Sequence, residues 1–248
     1  QFIKELSKRH SVHVIALGDP ERRAAEDSSD LLEIVSSLQI IPHSNLMGYT
    51  QSLAALPTDS PMCTAFCRSR EMNKAVKEAI ATKNIDILHI EHLRAAHLNP
   101  VDRSIPSLFD SVDCLSSLFS QMAQKKKMPG RLIAAEEAWK LRRYEPKTAA
   151  NFDRIIITSE SEKKHFEKMH KGLEIDIVSN GVDCEYFAPS DIQKKSHTIV
   201  FSGKMSYDPN SEAAAWFASH VFPKVRLQIP DAEFIIVGSG PPASIRNL

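Results

Sequence analysis

Short β-rich segments alternate with helix-like segments along most of this 248-residue chain. Two parallel strands need a crossover connection, which is usually a helix, so this order predicts parallel sheets covered by helices on both faces. The sequence therefore predicts an α/β fold. The predicted strands are 12–17, one within 30–41, 85–90, 106–110, 154–159, 175–179, 198–201 and 233–237. The predicted helices include 68–83, 114–127, 130–150, 159–169 and 210–228.

A sharp turn that ends the first series of strands is predicted at Asn180 and Gly181. Asn and Gly are the residues that most readily adopt positive φ. The segment 183–197 that follows is polar, contains a proline and has the composition of a linker. We therefore predict a first domain at 1–182 and the start of a second at 198–248. The residues assigned to a hinge are Asn180, Gly181 and Asp183.

Charge and cysteine content exclude several classes of protein. The 31 basic residues balance the 31 acidic ones, so no net field favours nucleic acid over the whole surface. Four scattered cysteines are too few for a disulfide framework, which favours a reducing compartment. No apolar run approaches the roughly 18 residues that span a bilayer, and no signal pattern is present. We expect a cytoplasmic protein without a nucleic-acid partner.

Two predicted strands of the second domain are followed by residues that suit phosphate binding. Small molecules bind beyond the carboxyl ends of the strands in open parallel sheets. Gly203 permits close approach of a backbone, and Lys204 supplies a cation. The next predicted helix, which Asn210 is expected to cap, offers N–H groups and a partial positive charge. The alternative is an ordinary strand-to-helix turn with one exposed lysine.

Four stretches occur in an informative order and spacing. They read EEAWKLRRYEPKTAANFDRIIITSESEKKHF, IDIVSNGVDCEYFAP, IVFSGKMSYDPNSEAAAWFASHVFPKV and PDAEFIIVGSGP. Together they resemble the family 4 glycosyltransferases, which have the two-domain GT-B fold. The resemblance covers the chain from about Ile85 onward. It is closest to sugar transferases of bacterial exopolysaccharide systems of the PEP-CTERM type.

The resemblance implies transfer of a sugar from a nucleotide-diphosphate sugar to an acceptor hydroxyl, with retention and with no cofactor or obligatory metal. The first domain would hold a saccharide or lipid-linked saccharide acceptor. The second Rossmann-like domain, only partly present, would hold the donor. Lys204 occupies the position of a basic residue that meets the diphosphate in the family, whereas many relatives carry a second basic residue where this chain has Asn210. The residues assigned to the donor diphosphate are Gly203, Lys204, Asn210 and Gly238.

The ends of the chain favour a fragment. The sequence begins within a helical pattern, and the resemblance places a Gly-rich loop before Gln1 and a pair of glutamates after Leu248. We therefore expect no turnover from this chain by itself, and a hexosyltransferase-type activity from the longer protein. Two alternatives remain open at this point. They are a nucleotide-sugar-binding module without catalysis and a nucleotide-sugar epimerase of the same architecture.

Candidate residues of the first domain follow two predicted strands. Asp113 lies in the region where many relatives place a histidine that faces the donor sugar, and it is assigned a catalytic role. Its alternative role is to cap the helix that begins near Cys114. Glu91 and His92 follow the strand predicted at 85–90 and are assigned to acceptor contact, with an ordinary loop as the alternative. The nearby histidines lack the spacing of helical zinc ligands, so no metal site is predicted.

A local basic patch is formed by the segment 124–131, QKKKMPGR, together with Lys140, Arg142 and Arg143. A patch of this kind on the acceptor domain is compatible with peripheral contact with anionic lipid when the acceptor is lipid-linked. A solvated helix face is the alternative.

Overall fold

Parallel sheets and helices make up both parts of the molecule. The computed structural model describes residues 2–18, 29–100, 104–169, 172–189 and 193–248. The chain divides into two compact units, Gln1–Asp183 and Cys184–Leu248. All paired strands in the described residues are parallel, so the predicted α/β fold class is confirmed. A separate linker at 183–197 stays a prediction.

The first unit contains a two-stranded sheet of β1 and β2 and a four-stranded sheet in the order β3-β4-β5-β6. In the second unit, β7 pairs with β8. The strands are β1 (His13–Gly18), β2 (Ser37–Pro42), β3 (Leu88–Glu91), β4 (Ser107–Asp110), β5 (Arg154–Ile157), β6 (Ile175–Ile177), β7 (Thr198–Ser202) and β8 (Glu233–Val237).

Helices connect most of these strands, and they include four helices of the first unit that the sequence predicted. The helices of the first unit are α1 (Phe2–Ser7), α2 (Ser29–Ile34), α3 (Asn45–Ala54), α4 (Met62–Phe66), α5 (Arg70–Thr82), α6 (Leu115–Lys125), α7 (Gly130–Ala149) and α8 (Glu160–Met169). Those of the second unit are α9 (Asp208–Trp216), α10 (Phe222–Gln228) and α11 (Ala243–Arg246). The helices α2, α3 and α4 were not predicted.

Several predicted elements differ from the observed ones. The strands predicted at 154–159 and 175–179 each end two residues earlier, at Ile157 and Ile177. The strand predicted at 85–90 begins only at Leu88, because its ladder partner β4 starts one residue after Pro106. The helix predicted at 210–228 is interrupted by a π turn at Phe217–Val221. Pro223 explains the interruption, since it has no N–H to donate to the preceding turn of an α-helix.

The core of the first unit lies around the four-stranded sheet. Ile155, Ile156 and Ile157 are all buried, as expected for a strand covered on both faces. Phe109 of β4 has no exposed surface and stacks on Phe152 with ring centroids 5.1 Å apart.

Helix α7 carries charged side chains into the interior of the first unit. Glu137 is 1% exposed, and both of its carboxylate oxygens accept hydrogen bonds, from Met62 N and Cys63 N at 2.8 Å each. Glu145 is fully buried and accepts from Ser116 N at 3.1 and 3.2 Å. These carboxylates satisfy N–H groups at the starts of α4 and α6, which have no partner within their own helices.

Lys140 of α7 does not belong to the surface basic patch to which the sequence assigned it. Its side chain is 3% exposed, and Nζ donates to the carbonyl oxygens of Ala55 at 3.0 Å and Leu56 at 2.9 Å. It also pairs with Glu136 at 3.0 Å. Lys140 was therefore wrongly assigned to a surface patch, because its charge is satisfied inside the protein.

The sharp turn predicted at Asn180 and Gly181 is also wrong. Neither residue has a positive φ, and the segment 178–183 has no regular structure. A Cβ built on Gly181 would meet no atom within 4 Å. The residue pair that most favours a turn therefore forms neither a turn nor a bend here. The hinge role of Asn180, Gly181 and Asp183 stays a prediction.

Replacing Glu137 with alanine is expected to lower the free energy of unfolding by about 2–4 kcal/mol, because two N–H groups at the start of α4 lose their buried acceptor. The control is Glu167→Ala, which truncates an exposed glutamate of α8 and should change stability by less than about 0.5 kcal/mol. Urea denaturation of both variants measures the difference. Equal stabilities would contradict the capping role of Glu137.

Candidate functional site

The ends of β3 and β4 bring together the residues predicted to contact the acceptor. Glu91 pairs with Asp110 in the ladder, and both are the last residues of their strands. His92 N then donates to Asp110 O at 2.7 Å. The loop that contains Asp113 therefore starts beside Glu91 and His92. We call residues 91–94 and 110–113 the first strand-end site.

The backbone of the first strand-end site is strained just after β3 and just after β4. His92 has a φ of 74° and Val112 a φ of 58°. Positive φ is uncommon outside glycine, and for a β-branched residue it is an outlier. Val112 is held there because its N–H donates to Asp110 Oδ1 at 3.1 Å and its carbonyl accepts from Thr158 Oγ1 at 3.3 Å. Strain of this kind concentrates at functional sites.

Asp113 is exposed and leaves its carboxylate available. Its N–H donates to Ser111 O at 2.6 Å, and its carbonyl accepts from Ser111 Oγ at 3.3 Å. Within the described ranges, no hydrogen bond or ion pair engages the carboxylate. The alternative role as a helix cap is wrong, because Cys114 is the N-cap of α6 and its N–H donates to Glu162 Oε1 at 3.2 Å. The catalytic role stays a prediction.

His92 is a neutral imidazole near neutral pH. Burial lowers its pKa below the ordinary value of 6.5, and the nearby charge of Arg94 lowers it further. Asp113 acts in the opposite direction, which indicates that its carboxylate lies near the ring. Arg94 N donates to His92 Nδ1 at 3.3 Å. Because Nδ1 accepts, the proton of the neutral ring is on Nε2, where it is available to donate.

Two contributors to the first strand-end site were missed in the sequence. Arg94 is exposed, and its guanidinium makes no hydrogen bond or ion pair with any residue that the structure describes. Glu162 accepts from Cys114 N, Thr158 Oγ1 and Ser159 Oγ, and so ties the segment after β5 to the start of α6. The Ser159-x-x-Glu162 spacing predicts a capping box, and Ser159 Oγ does accept from Glu162 N at 3.4 Å. The Glu162 carboxylate, however, accepts from Cys114 N at the start of α6 and not from the backbone N–H of Ser159.

No metal site is evident in the part of the chain that is described, where no cluster of three or more His, Cys, Asp or Glu residues is arranged to hold an ion. His89 and Asp110 lie close together, with Nε2 and Oδ2 3.6 Å apart. That separation is beyond hydrogen-bond distance, and Nε2 of His89 is buried without a hydrogen-bond partner.

In the second unit, the loops after β7 and β8 are joined through their backbones. Gly203 N donates to Val237 O at 3.0 Å, and Met205 N donates to Ser239 O at 2.9 Å. A Cβ on Gly238 would lie 1.7 Å from Gly203 O, so only glycine fits at this position. We call residues 202–210 and 238–240 the second strand-end site. The structure thus brings together the four residues assigned to the diphosphate.

Asn210 has a different local role from the one predicted. Helix α9 begins at Asp208 with Tyr207 as its N-cap, so Asn210 lies inside the first turn and does not cap the helix. Its Nδ2 donates to Lys204 O at 3.1 Å, and a Cβ on Gly203 would lie 2.8 Å from the same nitrogen. Asn210 N donates to Tyr207 O, and Pro209 has no N–H. The helix start therefore offers fewer unpaired N–H groups than expected.

Lys204 combines a fixed backbone with an available charge. Its carbonyl accepts from Tyr207 N at 3.2 Å as well as from Asn210 Nδ2. Its side chain is exposed, and Nζ has no hydrogen bond or ion pair to any residue in the described ranges. The loop thus holds one cation directly beyond the carboxyl end of β7.

Comparison with known families was decisive. The sequence model of glycosyltransferase family 4 matches residues 1–186 of the 248. The chain belongs to glycosyltransferase family 4. Its activity is accordingly that of a glycosyltransferase, which takes a sugar from a donor and passes it to an acceptor. The parallel α/β units agree with the GT-B fold that the resemblance implied. A search of curated proteins gave no match.

The matched region contains the whole first strand-end site and ends before Gly203. Assignments in the second unit therefore depend on its own geometry. None of the helices in the described residues is long and apolar enough to cross a membrane.

Gly238→Ala is expected to lower the free energy of unfolding by about 2 kcal/mol or more, because the new methyl group would collide with the Gly203 backbone. Gly181→Ala is the matched control, since its Cβ meets open space and its φ is not positive, and it should change stability by less than about 0.5 kcal/mol. Thermal and urea unfolding of both variants test this. A Gly238→Ala protein as stable as Gly181→Ala would contradict the close approach of the two loops.

The imidazole of His92 is expected to titrate below pH 6.5. In an Asp113→Asn variant its midpoint should fall further, because the carboxylate that favours the protonated ring has been removed. NMR titration of the histidine ring signals measures both midpoints. A midpoint above 6.5, or no change in the variant, would contradict the described surroundings of His92.

Proposed function

We propose that this glycosyltransferase moves a sugar from a nucleotide-diphosphate sugar to an acceptor hydroxyl with retention at the anomeric carbon. The second strand-end site would bind the donor diphosphate and the first would contact the acceptor. No cofactor or obligatory metal takes part in this proposal. The observation that carries it is Lys204, which a locked glycine loop holds beyond β7 and whose ammonium group pairs with none of the residues that the structure describes.

The chemistry of the transfer favours a cation at this position. The bond between the anomeric carbon and the β-phosphate oxygen breaks, and the acceptor oxygen forms a new bond to that carbon. The nucleoside diphosphate leaves with the bonding electron pair, and the acceptor proton is released with it. Negative charge grows on the diphosphate during this step, so a fixed ammonium group beside it stabilises the transition state more than the ground state.

The first strand-end site has groups that suit a saccharide. The exposed carboxylates of Glu91 and Asp113 can accept hydrogen bonds from sugar hydroxyls, and the neutral His92 can donate from Nε2. A carboxylate close to the anomeric carbon also stabilises oxocarbenium-like charge, which is the catalytic role we propose for Asp113. The acceptor we propose is a saccharide or a lipid-linked saccharide.

We propose that the transfer takes place in the cytoplasm and contributes to the synthesis of a cell-surface or extracellular polysaccharide. The resemblance to exopolysaccharide transferases supports it. Cys63, Cys67 and Cys114 form no disulfide, which agrees with a reducing compartment.

Titration calorimetry with UDP, GDP and ADP tests the donor site. One of the three should bind the wild-type protein, and Lys204→Ala should weaken its affinity by about 10- to 100-fold, because a charged hydrogen bond to phosphate is lost. The matched control is Lys224→Ala, which removes an exposed lysine of α10 in the same unit and should leave affinity within about twofold.

Two results would contradict the proposal. One is the absence of binding by all three nucleotides. The other is an equal effect of Lys204→Ala and Lys224→Ala, which would mean that general surface charge accounts for the binding.

A further inference from the structure

The connection between α6 and α7 concentrates positive charge. Its exposed cations are Lys125, Lys126, Lys127 and Arg131. The sequence from 121 to 135 contains no acidic residue, although the chain as a whole has a formal net charge of zero. We call residues 125–133 the basic turn.

The basic turn also exposes large apolar side chains. Met128 is 63% exposed, Leu132 60% and Ile133 51%. Apolar side chains scattered singly on a surface are ordinary, but these three lie within the six residues 128–133, next to the four cations in the sequence. Among the residues of the first unit that the structure describes, none pairs with these charges, and the three apolar side chains stay largely exposed.

The remaining members of the predicted patch are engaged elsewhere. Lys140 is buried, the Arg142 guanidinium donates to Ser120 Oγ at 3.2 Å, and the Arg143 guanidinium stacks over Trp139 at 3.9 Å from the ring centroid. The unsatisfied basic surface is therefore the turn itself, where apolar and cationic side chains come together.

This combination matches the chemistry of one kind of surface. Anionic phospholipid presents phosphate groups to cations and, a few ångströms deeper, hydrocarbon to apolar side chains. The exposed face of α3 provides a contrast. Leu46, Met47 and Leu53 are 56–74% exposed there, but the sequence from 44 to 58 has no charged residue. It lacks the charge complementarity that the basic turn provides.

We propose that the basic turn binds the surface of anionic phospholipid bilayers, with Met128, Leu132 and Ile133 inserted at the level of the headgroups. This binding goes beyond sugar transfer and does not depend on the donor site. If the acceptor is lipid-linked, as the proposed function includes, the contact would keep the first unit at the membrane surface where that acceptor lies.

Sedimentation with vesicles tests the binding directly. One vesicle preparation contains phosphatidylcholine alone, and the other contains phosphatidylcholine and phosphatidylglycerol at a 7:3 ratio. The chain should sediment with the mixed vesicles and remain in the supernatant with the neutral ones. Binding should fall steeply as the salt concentration rises from about 0.05 to about 0.5 M, because salt screens the attraction between the lysines and the anionic lipid.

Variants separate the two contributions. Replacing Lys125, Lys126 and Lys127 together with glutamine should weaken binding by about 100-fold, since each lysine near an anionic surface contributes about fivefold. Leu132→Glu should weaken it by about tenfold or more, because a carboxylate replaces an inserted side chain. Leu53→Glu makes the same change at a similarly exposed leucine of α3 and should leave binding within about twofold.

Every substituted side chain is exposed, so circular dichroism and thermal unfolding should match the wild type. The proposal is overturned if the wild type binds neither vesicle, if it binds both equally, or if Leu53→Glu impairs binding as strongly as Leu132→Glu. Vesicle binding without nucleotide binding would sustain this proposal and reject only the donor site.

Discussion

Two carboxylates buried on α7 hold the starts of two other helices in the first unit. Glu137 receives the N–H groups of Met62 and Cys63, and Glu145 receives that of Ser116. Burial raises the pKa of Glu145 above its ordinary value, although the hydrogen bonds from Ser116 act to lower it. An unpaired carboxylate or N–H group would be costly in this interior, so each partner requires the other. The position of α6, and hence of the loop before it, depends on this arrangement.

The two strand-end sites position their functional groups by different means. In the first, side-chain contacts from Thr158, which follows β5, and from Glu162 of α8 hold a strained loop that ends at Asp113. In the second, glycines allow two backbones to approach until main-chain hydrogen bonds join the loops, and Lys204 projects from them. Both leave a charged side chain exposed beyond the carboxyl end of a parallel strand. That edge is where open α/β sheets bind ligands.

The sequence predicted the fold class and most strands of the described region. The spacing of apolar residues and the content of β-branched residues can both be read within a short segment, without knowledge of its tertiary contacts. The sequence also identified residues that gather at each strand end, since parallel pairing places all carboxyl ends on one edge. It did not predict the polar contacts of α7. Glu137, Lys140 and Glu145 occur among other charged residues in the sequence, and only tertiary packing distinguishes them from solvated neighbours. Asn180 and Gly181 predicted a turn that the chain does not form, because their residue types permit a positive φ but do not require it.

The positive φ of Val112 has a consequence for protein engineering. Asparagine or glycine tolerates this conformation better than a β-branched residue does, so either would relieve a local cost in folding energy. Screens that select only for heat resistance commonly find such substitutions, and gains obtained at strained loops often reduce activity. Position 112 is therefore one where a gain in thermostability is expected to reduce the activity that we propose for the neighbouring Asp113.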